Sequence, residues 1–344
     1  PRAGSGDASL RGDPLPRIAT TATGEERRVR LLVIGGTRFS GRQGGVDEVA
    51  VFHRGEHAPE GIPGTTDVRG DRDTDLAGLA AGEWDATVDM CAYLPRHVRE
   101  LADALGGRGG HHLLVSSISA YRTPTDPGAD EDAPTWVPAG PSVTEVTGET
   151  YGPLKVACEQ VAHDRHAHVT ISRPSYVVGP LDPTGRFSWW VDRIGRGGDV
   201  ACPGPADAPL QCVDARDLAA FHLRLLEDGT TGTFHVATPD GGRPFGEVLD
   251  EVVSVAGAPG TRLVWRDPEQ LQAQGAEPGT WPLWHPDDAD HGLMQVATAR
   301  ARDAGFVARP LADTVRDTAD WLATPAGAAT VEGVGPDDAA FLPT

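Results

Sequence analysis

Lysine is almost absent from this chain. Of its 30 basic residues only Lys155 is a lysine, and all the others are arginines. This bias is typical of a GC-rich coding sequence, in which arginine replaces lysine wherever either residue serves. The two side chains differ in shape and hydration, so Lys155 is predicted to lie at a site where arginine does not suffice.

Cysteines and long apolar runs are also scarce. The four cysteines are scattered and show neither a CxxC pair nor the spacing of a zinc site. This pattern indicates free thiols in a reducing compartment rather than a disulfide framework. No run of about 18 apolar residues occurs, so a membrane-spanning helix is not expected. We therefore expect a cytoplasmic protein that does not act at a membrane.

Positive charge is in deficit, since 50 acidic residues face 30 basic ones and the net charge is −20. Such a field repels polyanions, so nucleic acid is not an expected partner. The 344 residues, of which 39% are apolar, suffice for a large domain with a smaller companion. Residues 1–28 lack the apolar stretch of a signal peptide and are predicted to be a disordered tail.

Short apolar runs alternate with stretches of helical periodicity, which predicts an α/β protein with a parallel sheet. We expect a Rossmann-like doubly wound sheet, which later runs at 211–215 and 233–237 would extend. The predicted strands are 29–35, 49–53, 86–90, 112–116 and 168–173, and the helical stretches include 98–105 and 154–163.

The composition shifts towards proline, glycine and tryptophan after Gly179, which suggests a change of domain. We predict a dinucleotide-binding domain and a smaller C-terminal substrate-binding lobe. The paired tryptophans of that lobe fit either an apolar substrate pocket or an ordinary core. The acidic, proline-rich stretch 124–141 is predicted to be a long loop, of the kind that often forms a lid. The domain boundaries are 29–179, with 210–238 returning to it, and 180–209 with 239–344 for the lobe.

A glycine-rich turn, GGTRFSG, follows the first predicted strand directly. Main-chain N–H groups of such a turn can approach a pyrophosphate at a helix N-terminus. Only seven residues separate Gly41 from Val49, so the crossover helix is very short or the chain lacks residues here. The predicted cofactor contacts in this turn are Gly35, Thr37, Arg38, Phe39 and Gly41.

The end of the second strand bears on the choice of cofactor. An NAD site usually places an acidic residue there, whereas this chain has His53 and Arg54. A guanidinium suits the 2′-phosphate of NADP, with Arg38 as a second clamp. The alternative is that both arginines face solvent, so NADP (NADPH) is favoured and NAD stays open.

Tyr151 and Lys155 lie four residues apart in a helical stretch, on one face of the helix. A cation beside a phenol favours its ionised form, and such a phenol can exchange a proton with a substrate oxygen during hydride transfer. The serines of the run 116–119 follow a predicted strand and offer a hydroxyl for the same oxygen; turn formation is the alternative explanation for them.

These motifs resemble the extended short-chain dehydrogenase/reductases, the family of NAD(P)-dependent epimerases and dehydratases. The resemblance covers roughly residues 29–237, and the GGTxFxG turn, with Arg38 where a glycine is usual, is similar to an atypical subgroup. The resemblance implies catalytic roles for Ser117 rather than Ser116 or Ser119, for Tyr151 and for Lys155. It also implies further cofactor contacts from Asp71, Cys91, Ala92, Ser116, Pro174 and Tyr176, besides Tyr151 and Lys155 themselves.

The resulting prediction is an NAD(P)(H)-dependent oxidoreductase that transfers hydride at a secondary alcohol or ketone carbon, with Tyr151 as general acid/base. Its substrate would be a sugar nucleotide or a natural-product intermediate. Ile118 and Ser119 stand where family dehydratases carry an acidic pair, so dehydration is not supported. The family's habit implies a homodimer through the helix of Tyr151.

Two alternatives stay open. The first is a nucleotide-sugar 4-epimerase, which would grip a diphosphate with arginines such as Arg186, Arg193 or Arg216. The second is a non-catalytic dinucleotide- or RNA-binding protein, because some relatives with a similar glycine turn bind RNA in chloroplasts. The net charge and the intact Ser/Tyr/Lys set argue against it. No metal site is predicted, since the histidines at 163, 166 and 168 lack a helical ligand spacing.

Overall fold

The computed structural model describes residues 29–36, 48–56, 64–277 and 279–343. The strands are β1 (Arg30–Ile34), β2 (Glu48–His53), β3 (Thr66–Arg69), β4 (Ala86–Asp89), β5 (His111–Val115), β6 (Val169–Pro174), β7 (Tyr176–Val178), β8 (Asp199–Pro203), β9 (Pro209–Asp214), β10 (Gly232–Val236), β11 (Thr238–Pro244) and β12 (Arg262–Arg266). The helices are α1 (Pro95–Leu105), α2 (Gly148–Arg165), α3 (Arg186–Gly195), α4 (Ala215–Glu227), α5 (Phe245–Ala256), α6 (Pro268–Ala273), α7 (Ala299–Asp303), α8 (Leu311–Leu322) and α9 (Pro325–Ala329).

Seven strands form one sheet in the order β10-β6-β5-β4-β1-β2-β3, and every pair in it is parallel. The order reverses at β1, as in a doubly wound Rossmann-like fold. The predicted fold class and the five predicted strands are therefore confirmed, with ends shifted by a residue or so. Strand β3 has a single apolar residue, Val68, and so gave no apolar run to detect.

Helices cover both faces of this sheet, which explains its nearly continuous apolar strands. Successive residues of a strand point to opposite faces. Leu31 and Val33 therefore pack in the core with α4 and α7. Leu32 and Ile34 pack on the other face beside α1, which in turn packs against α2. This arrangement leaves the carboxyl edge of the sheet open between the helices.

The two later runs belong to different sheets. Residues 233–236 lie in β10, which pairs with β6 and extends the main sheet as predicted. The expectation for residues 211–215 was wrong, because residues 211–214 lie in β9, which pairs with β7 and β11 in a separate three-stranded sheet, and Ala215 begins α4. An apolar run predicts a buried strand but does not identify its neighbours.

A second core lies among α3, α5, α8 and strands β8 and β12, which pair with each other. The four tryptophans that fitted either a pocket or a core belong to it: Trp189, Trp190, Trp281 and Trp284 are at most 5% exposed. Two of them satisfy their indole N–H groups on main-chain carbonyls, those of Pro282 and Gly204. These residues are therefore structural.

The structure also bears on the predicted loop, on the cysteines and on the prediction that no helix spans a membrane. Residues 124–141 contain neither a helix nor a strand, so the predicted loop is confirmed. The four cysteines are free thiols, and only Cys91 is partly exposed. No helix in the described ranges is long and apolar enough to cross a bilayer. The predicted tail at 1–28 and the short crossover at 42–48 lie outside the described residues, apart from Glu48 of β2.

Candidate active site

A cavity of about 1540 Å³ opens at the carboxyl edge of the main sheet. The residues that follow β1, β2, β4, β5 and β6 line it on one side, and Tyr176, Arg186 and His285 line it on the other. Ligands of open parallel sheets bind at this edge, where the strand order reverses. The cavity also contains Ser117, Tyr151 and Lys155, so the three predicted catalytic residues come together.

Lys155 is only 3% exposed, and its position is determined by the main chain. Its Nζ donates to the carbonyl of Ala92 at 2.9 Å and to that of Val115 at 2.8 Å. An ammonium group has three donors, so one N–H remains for a ligand. A guanidinium is planar and too wide to take the same place between two carbonyls. This geometry explains why the single lysine of the chain occurs at this position and not an arginine.

Two tyrosine rings lie beside this ammonium group. Its Nζ lies 5.8 Å from the ring centre of Tyr151 and 5.3 Å from that of Tyr93, and the two rings are 6.4 Å apart. Tyr93 is 45% exposed and lines the cavity. Burial, and then the neighbouring Tyr151, raise the pKa of Tyr93, so its hydroxyl stays protonated near neutral pH. The sequence prediction missed Tyr93.

The burial of Lys155 gives a direct chemical test. In the native protein an amine-reactive ester should modify Lys155 at least about tenfold more slowly than in urea, because the reagent must wait for local opening. Peptide mapping after timed labelling measures this, and the single lysine leaves no ambiguity about the site. Equal labelling rates in buffer and in urea would show that Lys155 is not held between the two carbonyls.

Gly152, between Tyr151 and Lys155 in the chain, permits a close contact with the neighbouring loops. A Cβ at this position would lie 2.2 Å from the carbonyl oxygen of Ser119 and 2.7 Å from the indole of Trp136. Helix α2 begins with a capping box in which Thr147 and Thr150 bond each other's main-chain N–H groups. These features bring the first turn of α2, with Tyr151, against the serine loop.

Ser117 begins a short 3₁₀ turn, Ile118–Ala120, at the end of β5. Its Oγ accepts from the main-chain N–H of Ser119 and donates to the Oγ of Ser119, both at 3.1 Å. Both serines line the cavity, so the turn explanation is confirmed and the functional one stays a prediction. Ser116 also lines the cavity, but its Oγ differs from that of Ser117 because it donates to the buried Glu159 at 2.5 Å.

Glu159 belongs to a buried ionic network below the serines. Arg173 of β6 donates to both of its carboxylate oxygens, at 2.9 and 2.6 Å, and also to the hydroxyl of Tyr121. That hydroxyl also bonds His235 of β10. Burial alone would lower the pKa of Arg173, but the bonds to Glu159 raise it, so the guanidinium stays charged. The network ties α2 and β6 to the loop that follows Ser117.

The end of the cavity beside β1 and β2 contains several of the residues predicted to contact the cofactor. Gly35 has a φ of +79°, and a Cβ there would lie 2.7 Å from the Sγ of Cys91, so only glycine fits. The Nε2 of His53 is hydrogen-bonded to the carboxylate of Asp67, and its Nδ1 accepts from the main-chain N–H of Gly55. Arg54 is half exposed and pairs with Glu56 at 3.0 Å.

The sequence prediction also missed Arg72, which lines this end of the cavity. Its guanidinium donates to both oxygens of Asp89, at 2.8 and 3.0 Å, and to the Sγ of Cys91 at 3.1 Å. Burial alone would raise the pKa of Asp89, but Arg72 lowers it, and the carboxylate stays ionised. Burial raises the pKa of Cys91, so its thiol is not activated. This buried pair holds the end of β4 beneath the cavity.

The remaining predicted contacts can now be placed. Asp71, Pro174 and Tyr176 line the cavity together with Gly35, Arg54 and Cys91. Ala92 is fully buried and acts through its carbonyl, which accepts from Lys155. The predicted contacts Thr37, Arg38, Phe39 and Gly41 lie outside the described residues.

The arginines that were candidates for a diphosphate grip have different surroundings. Arg193 is paired with Asp338, and Arg216 with Asp214 and Asp317, so both serve the fold. Arg186 alone of the three lines the cavity. Tyr176 is the other predicted contact in this region. A hydrogen bond of 2.8 Å joins its hydroxyl to the Nε2 of His285.

The histidines that invited a metal hypothesis do not form a cluster. His166 stacks on the buried His112 with ring centres 4.0 Å apart, while the side chains of His163 and His168 are exposed. Within the part of the chain that the structure describes, no group of three His, Cys, Asp or Glu side chains could hold a metal ion.

Known protein families and curated proteins are similar to parts of this chain. The model of the NAD dependent epimerase/dehydratase family matches residues 92–237. The probable low-salt glycan biosynthesis reductase Agl14 of Haloferax volcanii is 33% identical over 110 residues. The chloroplast stem-loop binding protein of 41 kDa b of Arabidopsis thaliana is 24% identical over 238 residues. These alignments cover 30% and 62% of this chain, and only 36% and 58% of those proteins.

Solved structures share the fold over most of the chain. A putative epimerase from Burkholderia cenocepacia superposes with a TM-score of 0.63 at 23% identity, covering 88% of this chain and 98% of that one. UDP-glucuronic acid 4-epimerase from Bacillus cereus, in complex with NAD, gives 0.62 at 14% identity, covering 86% and 98%. dTDP-4-dehydrorhamnose reductase from Bacillus anthracis, in complex with NADP, gives 0.54 at 17%, covering 84% and 98%. The chain is therefore similar to the NAD dependent epimerase/dehydratase family over residues 92–237, and it shares the fold of the superposed structures.

Proposed function

We propose that the protein is an NAD(P)(H)-dependent oxidoreductase that transfers hydride at a secondary alcohol or ketone carbon of a small molecule. The observation that carries the proposal is the placement of Lys155, fixed between two carbonyls and beside the Tyr151 ring at the carboxyl edge of the sheet. The family match supports a nicotinamide chemistry, and two superposed enzymes are complexes with NAD or NADP.

The described residues fit a dinucleotide. Gly35 and Gly36 end β1 with positive φ and present main chain to the cavity, as a pyrophosphate requires. Asp71 and Arg54 lie at the ends of the neighbouring strands, where they would hold the adenosine part. A bound nicotinamide would supply or accept the hydride. The cavity volume leaves room for a substrate beside the dinucleotide.

The protein's own part in the reaction is to hold and move one proton. Tyr151 would donate its phenolic proton to the carbonyl oxygen during reduction and remove it from the hydroxyl during oxidation. Lys155 stabilises the negative charge that develops on the phenol oxygen. Ser117 would orient the substrate oxygen by donating to it the hydroxyl hydrogen that the Oγ of Ser119 accepts in the free protein.

The preference for NADP over NAD is part of this proposal, and Arg54 tests it. Arg54→Ala should weaken NADPH binding by about 10- to 100-fold, the effect of losing a charge-assisted bond to a phosphate. NADH binding should not change, because NADH lacks the 2′-phosphate. Nicotinamide fluorescence titration measures both affinities.

Glu56→Gln is the matched control, since it removes the carboxylate that pairs with Arg54 in the free protein. This variant should bind NADPH at least as tightly as the parent. An NADPH affinity that Arg54→Ala leaves untouched would refute the assignment of Arg54. Failure of the parent to bind either nucleotide, after any retained cofactor is removed, would overturn the oxidoreductase proposal.

The two alternative functions, a 4-epimerase and an RNA-binding protein, predict different observations. A 4-epimerase keeps its cofactor through the cycle, so NAD(H) that copurifies with the protein would favour it. The likeness to the chloroplast stem-loop binding protein covers 62% of this chain and keeps RNA binding as a second candidate. The net charge of −20 opposes it. The homodimer through α2, the domain boundaries and the absence of a nucleic-acid partner stay predictions.

A further inference from the structure

The three arginines that line the described part of the cavity differ in their ionic partners. Arg54 pairs with Glu56, and Arg72 pairs with Asp89. Arg186 makes no ion pair with any residue that the structure describes, although it lies half-buried in the cavity wall of an acidic protein. A partly desolvated guanidinium that makes no ion pair is unfavourable, and an anionic group of a ligand would relieve it.

The guanidinium of Arg186 is also held in place. Its Cζ lies 4.6 Å from the ring centre of Tyr176, and its Nε donates to the Oγ1 of Thr184 at 3.1 Å. Thr184 in turn donates to Asp182. The stacking and the Nε bond fix the plane of the group. They leave its two terminal nitrogens as a fork, the arrangement that matches a carboxylate.

The surroundings of Arg186 allow one negative charge and disfavour two. Asp182 is 2% exposed, and the nearby charge of Arg186 lowers its pKa against the larger effect of burial, which raises it. Asp290 is close enough to the Tyr176–His285 pair to raise the pKa of His285 in part. Burial lowers the pKa of His285, so it adds no positive charge near neutral pH. A diphosphate would therefore meet one guanidinium and two nearby carboxyl groups. A single carboxylate needs only the fork of Arg186.

We propose that Arg186 binds a single carboxylate of the substrate, so that the substrate is an oxo acid, or the corresponding hydroxy acid, rather than a diphosphate-linked sugar. This inference rests on the function proposed above, and it identifies the substrate class of the same site. Arg186 is then a specificity-determining residue, which orients the substrate while Tyr151 transfers the proton to or from the substrate oxygen.

The test is calorimetric titration with oxo acids whose carbonyl and carboxylate are increasingly far apart: acetoacetate, levulinate and 5-oxohexanoate. Each acid is compared with its methyl ester, and UDP-glucose represents the diphosphate class. At least one acid should bind the parent protein more tightly than its ester. Arg186→Gln should weaken that binding by about 10- to 100-fold and leave ester binding unchanged.

Arg99→Gln is the matched control, because it removes the same charge from an exposed position of α1 outside the cavity. It should bind the acids as the parent does. Titrations with and without NADPH separate the two proposals. Normal NADPH binding together with acids that do not bind, or bind no better than their esters, overturns the carboxylate site alone. Tighter binding of UDP-glucose than of every acid also overturns it. A parent that binds no nicotinamide nucleotide contradicts the proposed function instead.

Discussion

Replacing Arg173 with methionine is expected to destabilise the protein by about 3–5 kcal/mol, the usual cost of removing one member of a buried ion pair. Arg173 and Glu159 are each 6% exposed, and their contact is bidentate. Without Arg173, the hydroxyl of Ser116 is the one hydrogen-bond partner that remains for the carboxylate of Glu159 among the residues that the structure describes. The free energy of unfolding from urea titration, followed by circular dichroism, measures the loss.

Two comparison variants separate this effect from a general loss of an arginine. Arg262 also makes a bidentate pair, with Asp199, but that pair is exposed, so Arg262→Met should unfold at the same urea concentration as the parent. Combining Arg173→Met with Glu159→Leu removes both charges and should recover much of the lost stability. If Arg173→Met and Arg262→Met prove equally harmless, the network below the serines does not stabilise the fold.

The network also bears on the active site. Ser116, which is bonded to Glu159, immediately precedes Ser117 in the chain, and Tyr121 follows the serine turn. The charged groups therefore hold both sides of this turn against β6 and α2. A fully bonded buried network rigidifies its surroundings, so the position of Ser117 depends on groups that never reach the cavity.

The sequence predicted the parts of this site that depend on local spacing. Tyr151 and Lys155 share one helix face because they are four residues apart, and Ser117 follows a strand whose apolar pattern is clear. The strands of the main sheet were predictable for the same reason, because each is a short apolar run between turns.

The rest depended on contacts between distant parts of the chain. Tyr93 meets Lys155 only because β4 and β5 are neighbours in the sheet. Tyr176 meets His285, 109 positions later, through the packing of the second core. Arg193 and Arg216 pair with distant aspartates, whereas Arg186 makes no ion pair with a described residue. No local pattern distinguishes Arg186 in this way among the 30 basic residues of the chain.

Tyr151→Phe is expected to lower the rate of carbonyl reduction by about 10²- to 10⁴-fold, the usual contribution of a positioned acid/base group. The phenyl ring keeps its place beside Lys155 and only the hydroxyl is lost, so the affinity for NADPH should not change. The oxidation of NADPH at 340 nm, with any ketone or oxo acid that the parent protein reduces, measures the rate.

The adjacent Tyr93 supplies a matched control, because its ring lies 6.4 Å from that of Tyr151 and borders the same cavity. Tyr93→Phe keeps the ring over Lys155 and removes a hydroxyl whose pKa is raised by burial, so it should cost far less activity. The reverse ranking, with Tyr93→Phe inactive and Tyr151→Phe active, would assign the proton to Tyr93. Ser117 and Lys155 would then serve a different phenol in the same cavity, and the four-residue spacing in α2 would be a coincidence.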